Sequence, residues 1–148
     1  MGSTEKIVEQ INGYYDSWFE MNRVYHEWAK QYGIQDTTLF VLHAIKNTAS
    51  PCNQSQLCNM LCLPKQTVSQ ILSHLEKEGY IVKETTANDR RNKTITFTEK
   101  GLEFAIPILD KLKSAEMEAF LQLSQEQRSS IIESFALLSD SLGKSLLK

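Results

Sequence analysis

Only three prolines and six glycines are spread over the 148 residues, and neither type clusters. The chain therefore has no linker, no low-complexity segment and no Gly-rich loop to cradle a phosphate. No apolar run approaches the roughly 18 residues of a membrane span, and no charged-then-apolar leader begins the chain. Both absences point to the cytoplasm, where disulfides are rare. The three cysteines, Cys52, Cys58 and Cys62, are then free thiols. Structural zinc needs paired cysteines and two further ligands, whereas His26, His43 and His74 fall on three separate helical stretches. No metal and no cofactor is expected. Without a nucleophile–base motif or a paired-carboxylate pattern, neither is an enzyme.

Excess charge is also missing. The formal net charge is −2, so its distribution matters more than its sign. Residues 35–100 sum to +2 and the remainder to −4. The asymmetry is modest, but it has the sign that a nucleic-acid-binding segment needs.

What is present is mostly helical periodicity. Ile7, Ile11, Tyr14, Trp18, Met21, Tyr25 and Trp28 recur every three or four residues, predicting a helix from about Glu5 to about Tyr32 with Gly33 as its stop. Tyr15, Phe19, Val24 and Ala29 widen that apolar surface enough to serve both a core and a second subunit. Asp36 is the expected N-cap of a second helix through about Lys46, with Leu39, Phe40, Leu42 and Ile45 inward. Asn47 to Pro51 reads as a turn, and Asn53 as the cap of a short helix carrying Leu57, Met60 and Leu61. After Gly101 a long helix begins, which Pro107 should kink or break. Ser124 to Gln127 has the form of a capping box. The last helix has a stripe of Ile131, Phe135, Leu138, Leu142 and Leu146.

The informative stretch is Leu57 to Gly101. Pro64 starts a helix, since its fixed φ suits a first turn and its missing N–H costs nothing there. Val68, Ile71, Leu72 and Leu75 form its apolar face, and Gly79 ends it. Beyond Gly79 the period changes. Tyr80 to Lys83 and Thr94 to Phe97 are β-prone and flank a polar tip, Ala87 to Lys93, with three cations and one acid. Helix, turn, helix and a basic-tipped ribbon make a winged helix–turn–helix. A helix fits the major groove, and an Arg-bearing tip suits the minor groove.

The texts PKQTVSQILSHLEKEGYIV and DRRNKTITFTEKG resemble those of the MarR-type transcriptional regulators. Asp89, Arg91, Phe97, Thr98 and Gly101 match the family's wing signature position by position. The resemblance implies that Pro64 to Glu78 is the recognition helix, that Arg91 enters the minor groove, and that Asp89 pairs with an Arg to hold the wing. One departure is Gln70, where relatives often carry Arg, so base preference does not transfer.

The expected fold class is mostly α with a small antiparallel β-hairpin wing. Residues 1–148 form one MarR-like domain, 35–100 its winged helix–turn–helix lobe, and 5–32 with 102–147 its dimerisation helices. The expected function is a sequence-specific, ligand-responsive repressor that binds a pseudo-palindromic operator on double-stranded DNA as a homodimer. The expected DNA-binding residues are Lys65, Gln66, Thr67, Ser69, Gln70, Arg90, Arg91 and Lys93, with Asp89 stabilising the wing. A small aromatic or phenolic effector would meet Trp18, Met21, Tyr25, Phe40 and His43. Cys58 and Cys62 are expected to be buried and Cys52, at a turn, to be the exposed thiol. Two alternatives stay open: a winged helix used for protein–protein interaction, and a thiol-based redox-sensing regulator.

Overall fold

The structure is a computed structural model. It describes residues 2–49, 52–86 and 89–148, with all their side chains except those of Thr86, Asp89 and Arg90. The chain divides into two compact units, Met1–Ile108 and Leu109–Lys148. The first contains helices α1 (Ser3–Lys30), α2 (Asp36–Asn47), α3 (Gln54–Leu61) and α4 (Lys65–Lys77), strands β1 (Cys52–Asn53), β2 (Ile81–Thr86) and β3 (Asp89–Phe97), and the start of α5 (Glu99–Leu121). The second contains the rest of α5 and α6 (Gln125–Leu146). No described helix is long and apolar enough to cross a membrane.

The helix ends follow local chemistry. Gly33 takes φ +72 after α1, a conformation open to glycine at little cost. Gln35, not Asp36, is the N-cap of α2. Asp36 is instead the first helical residue, where its carboxylate favours the positive end of the helix dipole. At α3 the capping box is complete: Asn53 Oδ1 accepts from the Gln56 N–H at 2.9 Å, and Gln56 Oε1 accepts from the Asn53 N–H at 2.9 Å. Pro64 is the N-cap of α4 rather than its first turn. Beyond α4, Gly79 takes φ +81, and the Tyr80 N–H donates to the Leu75 carbonyl at 2.9 Å. That bond closes the helix by satisfying an otherwise unpaired carbonyl.

The wing is a three-stranded antiparallel sheet in the order β1-β3-β2, not an isolated hairpin. Cys52 pairs with Ile95, and β2 pairs with β3 from Ile81↔Phe97 to Thr85↔Lys93 before the register shifts to Thr86↔Asp89. Two residues of β1 are too few to leave a periodic signal, yet they cover one edge of β3. The expected tip shrinks as well. Asp89 to Lys93 belong to β3, and Ala87 and Asn88 lie outside the described residues.

The core of the first unit joins Leu39, Val41 and Leu42 of α2 to Leu57 of α3, Val68, Leu72 and Leu75 of α4, Ile81 of β2, Ile95 of β3 and Ala105 of α5. The wing is fastened to it at one corner. Thr98 Oγ1 donates to the Gly79 carbonyl at 2.6 Å and accepts from the Gly101 N–H at 2.9 Å. Tyr80 stacks on Phe104 with ring centroids 4.2 Å apart and planes 6° from parallel.

Helix α5 runs unbroken through Pro107. The carbonyl that the proline leaves without a donor belongs to Glu103, an exposed residue, where water can replace the lost bond. In the second unit, Ser124 and Gln127 form the expected capping box, and Arg128 donates to the carbonyls of Phe120 and Leu123. None of the described residues of α6 is buried.

Candidate nucleic-acid interface

Helix α4 presents two unlike faces because its apolar residues recur at helical spacing. Val68, Leu72 and Leu75 are buried, whereas Lys65, Gln66, Gln70, Ser73 and Lys77 are exposed. Ser69 and Thr67 are half-buried on opposite flanks of the exposed strip. Ser69 lies toward the flank that carries Lys65, and Thr67 lines a cleft on the other side. The helix–turn–helix geometry puts this polar face beside the wing. A groove of about 260 Å³ runs between Gln54, Ser55, Cys58 and Asn59 of α3, Lys65 of α4, and Arg91 and Asn92 of β3. Lys65 and Arg91, 26 positions apart, thus border one groove. On the same flank Lys83 of β2 approaches Glu76 of α4 at 3.9 Å.

Lys93 is exposed on β3, opposite Thr85. The side chains of Arg90 and Asp89, expected to bind DNA and to stabilise the wing, lie outside the described residues. Gln54, Ser55, Asn59 and Asn92 join the groove without having been singled out by sequence reasoning. Their only signal was proximity to the turn and to Arg91. Short polar residues carry no periodicity from which to infer a shared groove.

The aromatic residues of α1 separate into three groups, one of them Trp28 against Tyr32 with centroids 4.7 Å apart. Tyr25 meets Phe40 of α2 with centroids 5.4 Å apart. Trp18 instead lies against Tyr14, Tyr15 and Phe19 of its own helix, and Met21 is exposed. His43 is exposed, its Nδ1 3.2 Å from the Asn47 side-chain amide. None of these five lines a second cleft in the first unit, which has a volume of about 610 Å³. That cleft runs along α4 past Thr67, Gln70, Ile71, His74 and Glu78, with Thr37 and Thr38 of α2, Tyr32, Tyr80 and Phe104 as its other walls.

The thiols are arranged differently from expectation. Cys52 is buried, Cys58 half-buried and Cys62 exposed. Strand pairing with β3 draws Cys52 inward, and burial pushes its thiol above the ordinary range, partly opposed by a hydrogen bond with Thr48. Cys62 ends α3 in the left-handed region at φ +53, which turns it out of the helix face it would have shared with Cys58. Among the described residues, no three His, Cys, Asp or Glu side chains are grouped to hold a metal ion.

Comparison with known proteins gives a consistent result. The model of the MarR family matches residues 32–92. The transcriptional regulator SarZ of Staphylococcus epidermidis is 28% identical over 120 residues, 81% of this chain and 79% of its own. Among solved structures, Staphylococcus aureus MepR in complex with DNA aligns over 96% of this chain and 99% of its own, with a TM-score of 0.70 and 20% identity. Staphylococcus aureus MarR in complex with salicylate and kanamycin aligns over 95% and 94%, with a TM-score of 0.75 and 18% identity. At such identities the two structures speak for the fold.

Proposed function

We propose that this chain, whose residues 32–92 match the model of the MarR family, is a DNA-binding winged-helix regulator of that family, and that it is a ligand-responsive repressor acting in the cytoplasm as a homodimer. Each subunit lays α4 in a major groove, with Gln66, Ser69 and Gln70 toward base edges and Lys65 toward phosphate. Thr67, half-buried on the cleft side, borders the edge of this base-reading strip. Arg91 enters the adjacent minor groove, and Lys93 and Arg90 hold the backbone beside it. Two-fold symmetry then requires a pseudo-palindromic operator with half-sites about 10 bp apart.

The observation that carries this reading is the groove shared by Lys65 of α4 and Arg91 of β3, since it joins the recognition helix and the wing into one cationic edge. Dimerisation is supported by the apolar surface that each unit leaves open. Ile7, Ile11, Trp18 and Phe19 are exposed on α1, and Ile132, Phe135 and Leu138 on α6. Exposed apolar surface on this scale marks an interaction site. Occlusion of a promoter needs no contact with polymerase, so a dimer on its operator is sufficient for repression.

Selection from random duplex, followed by footprinting, tests the proposal. A recovered two-fold-symmetric site, protected at low salt and released steeply as salt rises, is the expected result. Recovery of no sequence preference would overturn it. The ligand-responsive part is supported by the 610 Å³ cleft along α4. An occupant that binds one spacing of the two winged lobes better than another would shift operator affinity by that difference.

A further inference from the structure

We propose that the cleft along α4 is a binding site for a planar aromatic cation, held between the Glu78 carboxylate and the aromatic wall of Tyr80 and Phe104. This goes beyond the reading of a ligand-responsive regulator by naming the site and the ligand's charge, and it rests on that reading for its effect on DNA. The volume of about 610 Å³ lies within the range of small-molecule sites. One side is apolar, formed by Ile71 and the Tyr80–Phe104 stack. The other is a polar ladder along one face of α4, where Thr67, Gln70, His74 and Glu78 follow at steps of three or four. A flat ring system with amines along its edge matches both sides.

Charge selects the cation. Glu78 is the one carboxylate among the described lining residues, and no Lys or Arg joins it. It also sits at the C-terminal end of α4, where the helix dipole adds negative potential. None of the described ion pairs uses this carboxylate. The chain already holds one ammonium at this end. Lys100 Nζ donates to the Glu78 carbonyl at 2.8 Å and lies 5.3 Å from the Tyr80 ring centre. A phenolic acid would bring its carboxylate toward Glu78 and be repelled.

Occupancy reports directly to DNA. Gln70 is both a lining residue and an exposed residue of the base-reading strip, so a bound amine that engages its side chain withdraws it from the bases.

Titration of the full chain with proflavine in the absence of DNA, by fluorescence and calorimetry, tests the site. One saturable site per chain, and weaker or no binding of salicylate, is expected. Glu78→Gln should weaken proflavine about five-fold, the size of a partly exposed charge interaction, and Glu78→Lys should reverse the preference toward salicylate. Thr38→Trp, placed in the half-buried first turn of α2, should block the cleft while circular dichroism stays unchanged. Proflavine binding that is indifferent to Glu78→Gln and Glu78→Lys, or that survives Thr38→Trp, overturns the proposal. So does a wild-type preference for salicylate. If proflavine binds as described but shifts operator affinity no more in the wild type than in Thr38→Trp, which controls for its intercalation into the duplex, the site stands and its regulatory role falls.

Discussion

A Cβ added to Gly101 would lie 1.8 Å from the carbonyl oxygen of Tyr80. The first turn of α5 therefore rests on the backbone at the start of the wing, at a distance that only glycine permits. The contact lies within the corner where Thr98 bridges Gly79 and Gly101. Gly101→Ala should destabilise the protein by about 1–3 kcal/mol, in the range of overpacking. A lower urea midpoint with an unchanged m-value is the expected signature. An unchanged midpoint would mean that α5 can move away freely.

Thr98→Val keeps the shape of the side chain and removes both hydrogen bonds of its hydroxyl. The Gly101 N–H, in the first turn of α5, and the Gly79 carbonyl then lose their partner. The expected cost is about 1–2 kcal/mol, measured by denaturant titration. Thr98→Ser should recover most of it, since the hydroxyl returns.

Arg91→Ala should weaken operator binding by about 1–3 kcal/mol, the worth of a good groove contact. Lys93→Ala should act on affinity nearly uniformly across sequences and flatten the salt dependence. Gln70→Ala should instead change which operator is selected. Gel-shift titrations at several salt concentrations distinguish the three, and identical behaviour of Arg91→Ala and wild type would remove the wing from the interface.

Thiol reactivity should follow burial. Cys62 is expected to be alkylated first and Cys52 last, as resolved by mass spectrometry of timed reactions. The raised thiol of Cys52 also carries a pH consequence. Its folded-state value exceeds its unfolded value, so its contribution to stability is complete below the ordinary thiol range and is lost as pH rises from there through the raised folded-state value. Thermal stability of the native chain should therefore fall more steeply than that of Cys52→Ala above about pH 8.5.

Cys62 is also the one non-glycine among the described residues with positive φ. Cys62→Gly removes the side-chain strain of the left-handed region, worth about 1–2 kcal/mol, against a smaller loss of backbone order in the unfolded chain. A net gain of about 0.5–1 kcal/mol is expected. A drop in melting temperature would show that the thiol makes compensating contacts.

The primary structure by itself determined the helices, the caps at Asn53 and Ser124, and the polar face of α4. Apolar spacing in α1, α2 and α4 and the short side chains of Asn53 and Ser124 act within a few residues of chain, where local geometry decides the outcome. The signature residues Thr98 and Gly101 were legible too, although their reason was not. That reason is the approach of α5 to Tyr80, a contact across 21 positions. Tertiary structure alone decided three further matters. It paired the two-residue strand β1 with β3, and by that pairing it buried Cys52. It brought Lys65 to the same groove as Arg91. It opened a cleft on the flank of α4 toward Thr67 and Glu78, where periodicity marked only a polar helix surface. In each case the deciding partner lies far along the chain, and spacing within one helix or strand carries no information about a neighbour that only the packed core brings close.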